Sequence, residues 1–295
     1  MSVSELLREM RPPAMRLVSA ATFTIEQLTN AYNQTRVDYL VPMPMNAARL
    51  AEYIHHYHVD LDASLVALEG ETMRGLAMLG VRAGRGWITR LGVIPTTRRR
   101  GVGRALVEAL LDLGQRRGLA AAQLEVIQNN EPAYNLFARA GFETTHDLLV
   151  LRRPPAAAVH PPQGNAKWLE REVALGLLAE RGDVVTWITE TDSLVRVDHM
   201  QALAVALPDG SSGWLVFHEQ KFRGLSLMLS RFVLHTQHGE PANVARNLLA
   251  HLYTRYRDLD TQIENVAVDD PHVPALREFG FIESFRRLEM RRPLP

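Results

Sequence analysis

Apolar and polar residues follow two different periods along the first half of this 295-residue chain. Short runs rich in β-branched and apolar residues predict strands, and apolar residues spaced three or four positions apart predict helices. The predicted strands cover residues 16–20, 64–68, 74–81, 87–94 and 148–152. Helices are predicted over residues 24–34 and 46–58, and a third begins at the glycines of 101–103. This order predicts an α/β fold, in the sense of a mixed sheet flanked by helices.

A proline-rich stretch divides the chain. Residues 154–164 contain four prolines and no apolar periodicity, which is typical of an extended linker. A chain of this length favours about two domains. We therefore expect a first domain over residues 14–153 and a second domain over residues 165–295.

The second domain repeats the first. Gly280-Phe281 falls on Gly141-Phe142 when the numbering is shifted by 139 positions, and Glu264 falls on Glu125 at the same shift. The shift also matches Arg291-Arg292-Pro293 with Arg152-Arg153-Pro154, and Leu249 and Leu252 with Leu110 and Leu113. An ungapped series that ends at the same point of both copies indicates an internal duplication.

A basic, glycine-rich turn lies between the predicted strand 87–94 and the helix that follows it. Its sequence is Arg98-Arg99-Arg100-Gly101-Val102-Gly103-Arg104. Free backbone N–H groups and the positive end of a helix dipole meet at such a turn, and glycines let a phosphate approach closely. The dinucleotide-binding spacing fails because residue 106 is Leu106, and a Walker-type Gly-Lys-Ser/Thr triplet does not occur. The turn predicts a diphosphate site.

The spacing Arg98-x-x-Gly101-x-Gly103 resembles the [Arg/Gln]-x-x-Gly-x-[Gly/Ala] loop with which GCN5-related N-acetyltransferases (GNAT) bind acetyl-CoA. The resemblance continues downstream in the family's order, with Leu124-Glu125-Val126, then Asn130 followed by a short helix, then Gly141-Phe142. It implies two tandem GNAT-like domains, each a splayed mixed sheet, with acetyl-CoA as acyl donor and no metal. The cofactor-binding residues that it implies are Leu91, Gly92, Val93, Arg98, Arg99, Arg100, Gly101, Val102, Gly103, Arg104, Asn130 and Phe137.

The resemblance also implies how the thioester is held. In the family a bulge in the fourth strand exposes backbone groups, and here it falls near Leu91-Gly92-Val93. Gly92 suits a bulge because it has no Cβ, although an ordinary strand kink has the same geometry. The amide of Val93 is then the donor that polarises the acetyl carbonyl.

Proton transfer leaves two questions open. Glu125, on the fifth strand, is the candidate base, and the alternative is that it only pairs with an arginine such as Arg90. The family has Tyr at the position of Phe137, where its hydroxyl protonates the leaving thiolate. Phe137 has no proton to give, so either Tyr134, one helical turn earlier, or solvent serves as the acid.

The second copy has lost its phosphate loop. Arg98, Gly101 and Gly103 correspond to Gln237, Glu240 and Ala242, and Asn130 corresponds to Asp269. Glu240 repels a diphosphate, and Pro241 removes a backbone donor. We therefore expect one acetyl-CoA site per chain, in the first domain.

Composition narrows the remaining classes. The formal net charge is zero, which argues against a general nucleic-acid binder, and the absence of cysteine excludes disulfides and acyl-cysteine chemistry. No apolar run reaches membrane-spanning length, and residues 1–5 lack a signal-peptide pattern, so we expect a cytoplasmic enzyme.

The histidines of 55–58 predict the end of a helix at the lip of the acceptor cleft rather than a metal site. Met43, Met45, Tyr39 and Trp87 either line that cleft or pack in the core.

These observations predict an acetyl-CoA-dependent N-acetyltransferase. The acetyl group passes by direct attack in a ternary complex to a primary amine on a small molecule or peptide. Two alternatives stay open: a CoA-binding sensor or scaffold with little turnover, and a ligase-like tandem protein that uses another acyl donor. The acceptor and the oligomeric state are beyond the sequence.

Overall fold

The computed structural model describes residues 15–182 and 186–295. The predicted start of the first domain, residue 14, and the segment 1–5 that lacks a signal-peptide pattern lie outside the described residues. The described chain forms two compact units. Unit 1 contains residues 15–145 together with Glu289–Pro295, and unit 2 is His146–Leu288. No helix among the described residues is long and apolar enough to cross a membrane.

Unit 1 follows the predicted order of elements. Its elements are β1 (Met15–Ser19), α1 (Ile25–Gln34), α2 (Ala47–His56), β2 (Val59–Glu69), β3 (Thr72–Arg82), β4 (Arg85–Val93), α3 (Val102–Arg116), β5 (Ala121–Ile127) and α4 (Glu131–Arg139). Strands β1 to β4 are antiparallel neighbours, and β5 lies parallel to β4. Helices α1 and α2 begin where the sequence predicts, because Thr24 and Gln27 form a capping box and Asn46 caps α2.

Unit 2 is built in the same way. The strand β6 (Glu143–Arg153) opens it, followed by β7 (Asn165–Leu169), α5 (Arg171–Glu180), α6 (Thr191–Leu194), β8 (Met200–Ala206), β9 (Ser212–Phe222), β10 (Leu225–His238), α7 (Pro241–Arg255), β11 (Asp260–Ala267), α8 (Val273–Glu278) and β12 (Ile282–Pro293). The order of its strands across the sheet is β6-β11-β10-β9-β8-β7. Residues 154–164 form no helix or strand.

The structure confirms the duplication. Helices α3 and α7 have 15 residues each and begin 139 positions apart, at Val102 and Pro241. Strands β5 and β11 begin at Ala121 and Asp260, which is the same shift. The core of unit 2 gathers around the buried face of α7 (Val244, Leu248, Leu249 and Leu252), the helix that repeats α3.

The compact units have other bounds than the predicted domains 14–153 and 165–295, because most of β6 belongs to unit 2 and the end of β12 belongs to unit 1. Strand β6 of the first copy pairs antiparallel with β11, with Leu151 opposite Ile263. The end of the second copy belongs to unit 1, where the Leu294 N–H donates to the Ala120 carbonyl at 2.8 Å. The periodicity of a strand predicts that it exists, but its partner is set by contacts distant in sequence.

Candidate active site

A cleft opens in unit 1 where β4 and β5 part. These parallel strands pair only through Arg85 with Ala121, Gly86 with Ala122 and Trp87 with Gln123. Beyond Trp87 the remainder of β4 has no pairing with β5 among the described residues. Backbone groups on that edge are therefore available to a ligand, since strand edges carry unpaired donors and acceptors.

The bulge of β4 lies at Arg90-Leu91, at the start of the predicted segment. Thr89 pairs with Met78 and Gly92 with Leu76, so two residues of β4 oppose Ala77 alone. The left-handed backbone belongs to Arg90, with φ of 53°, and not to Gly92. A Cβ on Gly92 would overlap the Thr35 hydroxyl. Gly92 is thus required by the close approach of the end of α1, which corrects the prediction that it forms the bulge.

The backbone groups of Leu91 and Val93 face the cleft. Val93 lies opposite Gly75 and Gly92 opposite Leu76 of β3, and the Ile94 N–H donates to the Arg74 carbonyl at 2.9 Å. Because hydrogen-bonded pairs alternate along antiparallel strands, Gly92 and Ile94 direct their backbone groups to β3 and Val93 directs its own away from it. The Leu91 carbonyl accepts a hydrogen bond from the Arg36 guanidinium at 3.2 Å, and the Val93 carbonyl accepts one from Arg98 Nε at 3.2 Å. The N–H of Val93 is directed to the same side as its carbonyl.

The basic turn has the geometry of an anion cradle. Arg99 and Gly101 are both left-handed, with φ of 64° and 83°. Helix α3 starts directly after Gly101, which provides no side-chain cap. The N–H groups of Val102, Gly103 and Arg104 therefore have no acceptor within the helix, and they lie at the positive end of its dipole.

Gly101 and Gly103 serve different purposes. A Cβ on Gly101 would meet nothing within 4 Å. A Cβ on Gly103 would lie 3.3 Å from Leu136 Cδ2 and 3.6 Å from Val93 Cγ2. Gly103 therefore lets the first turn of α3 pack closely against α4 and β4, in addition to any role toward a phosphate.

Arg98 is engaged by its own chain. Two of its nitrogens bind the Asp38 carboxylate, each at 2.7 Å, and one also donates to the Thr35 carbonyl at 3.2 Å. The hydrogen bond and charge of Arg98 hold the pKa of Asp38 below its ordinary value. Arg98 thus joins the basic turn to the segment that follows α1.

Asn130 begins α4. Its side-chain oxygen accepts from the Ala133 N–H at 3.4 Å, so it is the N-cap of the helix. Its amide nitrogen is 3.4 Å from the Tyr39 hydroxyl. The structure therefore brings Tyr39 to Asn130, while Met43 and Met45 lie half-buried between α1 and α2.

The two aromatic residues of α4 differ in burial. Phe137 is 5% exposed and packs edge-to-face on Phe142, with ring centroids 6.0 Å apart. Tyr134 is half-buried. Phe137 is therefore a core residue, whereas Tyr134 keeps part of its side chain at the surface.

Glu125 is held by Trp87 across the gap between β4 and β5. The indole Nε1 of Trp87 donates to Glu125 Oε2 at 2.8 Å. Trp87 itself is 2% exposed, with its ring 6.0 Å from that of Tyr53 and 5.6 Å from that of Tyr57. The carboxylate is oriented by an aromatic cluster, because an indole N–H is a donor only.

Tyr53 extends this cluster to the bulge. Its hydroxyl is 2.5 Å from Thr89 Oγ1, and the Arg90 guanidinium lies 3.9 Å from its ring centroid. Arg90 also donates to the Tyr32 hydroxyl at 3.0 Å. Burial raises the pKa of Tyr53, so its phenol stays protonated. Sequence reasoning missed Tyr53, Tyr32 and Arg36; the i, i+4 spacing of Tyr53 and Tyr57 was the one available signal.

The histidines of 55–58 lie at the end of α2 and just after it. Among residues 15–182 and 186–295, no three His, Asp or Glu side chains are grouped so that they could hold a metal ion. His58 Nδ1 instead lies 2.9 Å from an Arg82 nitrogen. His55 and His56 lie in the last turn of α2, as predicted.

The corresponding turn of unit 2 contains its own anion. The Glu240 carboxylate accepts from the backbone N–H groups of Ala242 at 2.9 Å and Asn243 at 2.6 Å. Glu240 stands 139 positions after Gly101, so its side chain occupies the donors that α3 leaves open. Glu240 is predicted to repel a diphosphate. In addition, its carboxylate binds the N–H groups that a diphosphate would need, because it caps α7.

His272 adds a second contact in the same region of unit 2. It lies 2.9 Å from Asp270 through Nδ1 and 3.0 Å from the Thr236 hydroxyl through Nε2. Thr236 is at the end of β10, and His272 is the residue before α8. The side chains of Thr236 and His272 thus join β10 to the start of α8. The counterparts of these elements in unit 1 are β4 and α4, which border the cleft.

The splayed mixed sheet and the basic turn at the start of α3 define a class of fold that supports acyl-CoA-dependent acetyl transfer. Residues 25–142 match the model of the acetyltransferase (GNAT) family. A search of the curated proteins found no match.

Solved structures share the fold over both halves of the chain. A tandem GNAT protein from the clavulanic acid biosynthesis pathway is 16% identical over 96% of this chain and 99% of its own, with a TM-score of 0.65. A GCN5-related N-acetyltransferase from Sphaerobacter thermophilus is 14% identical over 95% and 96%, with a TM-score of 0.71. A further GCN5-related N-acetyltransferase, from Anabaena variabilis, is 15% identical over 96% and 73%, with a TM-score of 0.62.

Proposed function

We propose that unit 1 is an acetyl-CoA-dependent N-acetyltransferase that acetylates a primary amine on a small molecule or peptide by direct attack in a ternary complex. One observation carries this proposal. The open N–H groups of Val102, Gly103 and Arg104 adjoin a strand edge on which the backbone of Leu91 and Val93 faces the cleft. The helix N–H groups suit a diphosphate, and the adjoining strand edge suits the amide-bearing arm that is attached to it.

The residues present fit the cofactor. The basic turn offers helix N–H groups and the exposed side chains of Arg99 and Arg100 to a diphosphate, and the space beside Gly101 is open. The proposed contacts of the pantetheine arm are Asn130, at the start of α4, and the backbone of Leu91, while Phe137 supports α4 from the core. Acetyl-CoA supplies the thioester acetyl group when bound. The N–H of Val93 would be the donor to the acetyl oxygen, where negative charge develops.

Glu125 is the proposed base. Its carboxylate is fixed by Trp87 at the point where β4 and β5 part, which is within the cleft that the amine must enter. A fixed carboxylate can accept the ammonium proton directly or through one water. The alternative, that Glu125 only balances the charge of Arg90, predicts no change in the pH dependence of turnover when the carboxylate is removed.

The acid is tested by a pair of substitutions in α4. Tyr134→Phe is expected to lower turnover by about tenfold or more if its hydroxyl protonates the thiolate, because general acid help is typically worth 10²–10⁴-fold and water replaces part of it. Phe137→Tyr restores the family's residue at a buried position, and we expect little gain while Tyr134 is present. Initial rates at a saturating concentration of the acceptor show whether Tyr134 or solvent is the acid. Unchanged rates in both variants would assign the proton to solvent.

Calorimetric titration with CoA tests the cofactor assignment. We expect one CoA per chain, since Glu240 already caps the equivalent helix of unit 2. Two equivalent sites per chain would contradict this account of the second copy. Appearance of free CoA thiol from acetyl-CoA with a panel of primary amines then tests turnover.

A CoA-binding sensor is the second candidate, and Phe137 is the observation that favours it. The side chain that protonates the thiolate in relatives is here a buried hydrocarbon packed on Phe142. A sensor predicts stoichiometric CoA binding with no amine-dependent thiol release across the panel. An N-acetyltransferase predicts both.

A further inference from the structure

One short segment contacts most of the proposed cofactor site. We call residues 35–39, which follow α1, the strap. Arg36 binds the Leu91 carbonyl, and the Thr35 carbonyl and Asp38 carboxylate bind Arg98. Tyr39 reaches Asn130 through its hydroxyl. Leu91, Arg98 and Asn130 are all residues proposed to hold the cofactor, so the strap and the cofactor compete for the same partners.

The competition is sharpest at Arg98. Its guanidinium is a planar fork of donors, for which a carboxylate and a phosphate are alternative partners. Asp38 uses two nitrogens of that fork, and the pair is half-exposed, with side-chain exposures of 40% and 50%. A half-exposed ion pair is weak, so a doubly charged diphosphate nearby can displace the carboxylate.

Arg36 joins the strap to the end of α1. Arg36 stacks between two tyrosines, with its guanidinium carbon 4.6 Å from the Tyr32 ring centroid and 4.5 Å from that of Tyr39. Its Nε is buried and has no hydrogen-bond partner among the described residues. Without the Asp38 pair, the strap is still joined to β4 by the bond from Arg36 to Leu91 and to α4 by the contact of Tyr39 with Asn130.

We propose that Asp38 is a positioning residue that gives up Arg98 to the diphosphate of the acyl-CoA, so that cofactor binding releases the strap from the cleft. This inference rests on the proposed function. The cofactor has to displace the strap as it binds, because the strap contacts Leu91 and Arg98, which are both residues proposed to hold the cofactor.

Calorimetry with CoA on Asp38→Asn tests the exchange. Removing the competing carboxylate is expected to tighten CoA binding about two- to fivefold, the range that a half-exposed ion pair supports. Asp38→Glu keeps the charge and should restore the wild-type affinity. In an Arg98→Gln background, Asp38→Asn should have no further effect. Glu26→Gln, an exposed charge removal on α1, is the matched control and should leave affinity unchanged.

Hydrogen exchange on the peptide that contains the strap provides a readout apart from affinity. CoA should increase exchange of residues 35–39 in the wild type, and Asp38→Asn should exchange as fast without CoA. Weaker CoA binding by Asp38→Asn would mean that Asp38 presents Arg98 to the diphosphate, which overturns the exchange. The exchange would also be overturned if Asp38→Asn and the wild type bound CoA equally well, or if CoA slowed hydrogen exchange of the strap. If the wild type binds no CoA, the proposed function falls together with this inference, whereas normal wild-type binding isolates the failure to Asp38.

Discussion

Gly101→Asp is expected to abolish most of the CoA affinity, by about a hundredfold or more. The change puts a carboxylate at the start of α3, where it repels the diphosphate and can cap the same N–H groups. Two like charges about 4 Å apart near a protein surface repel by about 4 kcal/mol, which is ample for this loss. Calorimetric titration of the variant with CoA measures it.

Gly101→Asn is the matched control. Asn and Asp have nearly the same shape and both tolerate a left-handed backbone, which Gly101 adopts with φ of 83°. A Cβ at this position meets nothing within 4 Å, so both variants should fold and melt alike. A large loss for Asp with a small loss for Asn assigns the effect to charge. Equal affinities in the two variants would remove this turn from the cofactor site.

The second copy already contains a related substitution. Glu240 stands where Gly101 stands in the first, and its carboxylate accepts two backbone N–H bonds at the start of α7. Spacing alone could predict the loss of the phosphate loop, because charge and residue type are readable from the sequence. That Glu240 caps the helix could not be read, since capping depends on the rotamer that the backbone allows.

The sequence predicted elements better than it predicted partners. The helix starts at Thr24 and Asn46 were predictable because capping is local chemistry. The strand predicted at 64–68 extends over Val59–Glu69, because Val59 and Asp60 also pair with β3, beyond an irregularity between Asp60 and Leu65. Asp60 and Asp62 interrupt the apolar pattern there, so the sequence did not predict this part of the strand. The sequence could not predict that most of β6 belongs to unit 2 and the end of β12 to unit 1, because the apolar pattern of a strand does not determine which strand it pairs with.

In the candidate site, the turn was predictable and the bulge only approximately so. Glycine is the residue expected at a left-handed position, and here Arg90 takes it. Its guanidinium lies over Tyr53, 3.9 Å from the ring centroid, and reaches the Tyr32 hydroxyl. Such contacts join residues from α1, α2 and β4, and only the fold brings them together. Gly92 was singled out for a bulge, whereas the structure shows that a glycine is needed there by the close approach of Thr35.

Glu125→Gln is expected to lower the rate of acetyl transfer by about 10²–10⁴-fold at neutral pH, with CoA affinity unchanged. The substitution removes the basic carboxylate but keeps an oxygen that can accept from Trp87 Nε1, which now lies 2.8 Å from Glu125 Oε2. Stability should therefore change little. Steady-state rates with the best amine of the panel, together with a thermal melt, measure both quantities.

The pH profile separates a base from a structural partner. Without Glu125 only the amine that is already neutral in solution reacts, so the rate of Glu125→Gln should rise about tenfold per pH unit below the amine's pKa, near 8 for an α-amine and near 10 for a lysine-like amine. Its deficit relative to the wild type should shrink as the pH approaches that value. Trp87→Phe, which removes the indole donor and keeps the carboxylate, should cost less and leave the slope of the wild type. A deficit that stays constant with pH would show that Glu125 acts only by orienting its neighbours, and that the amine loses its proton before it enters the cleft.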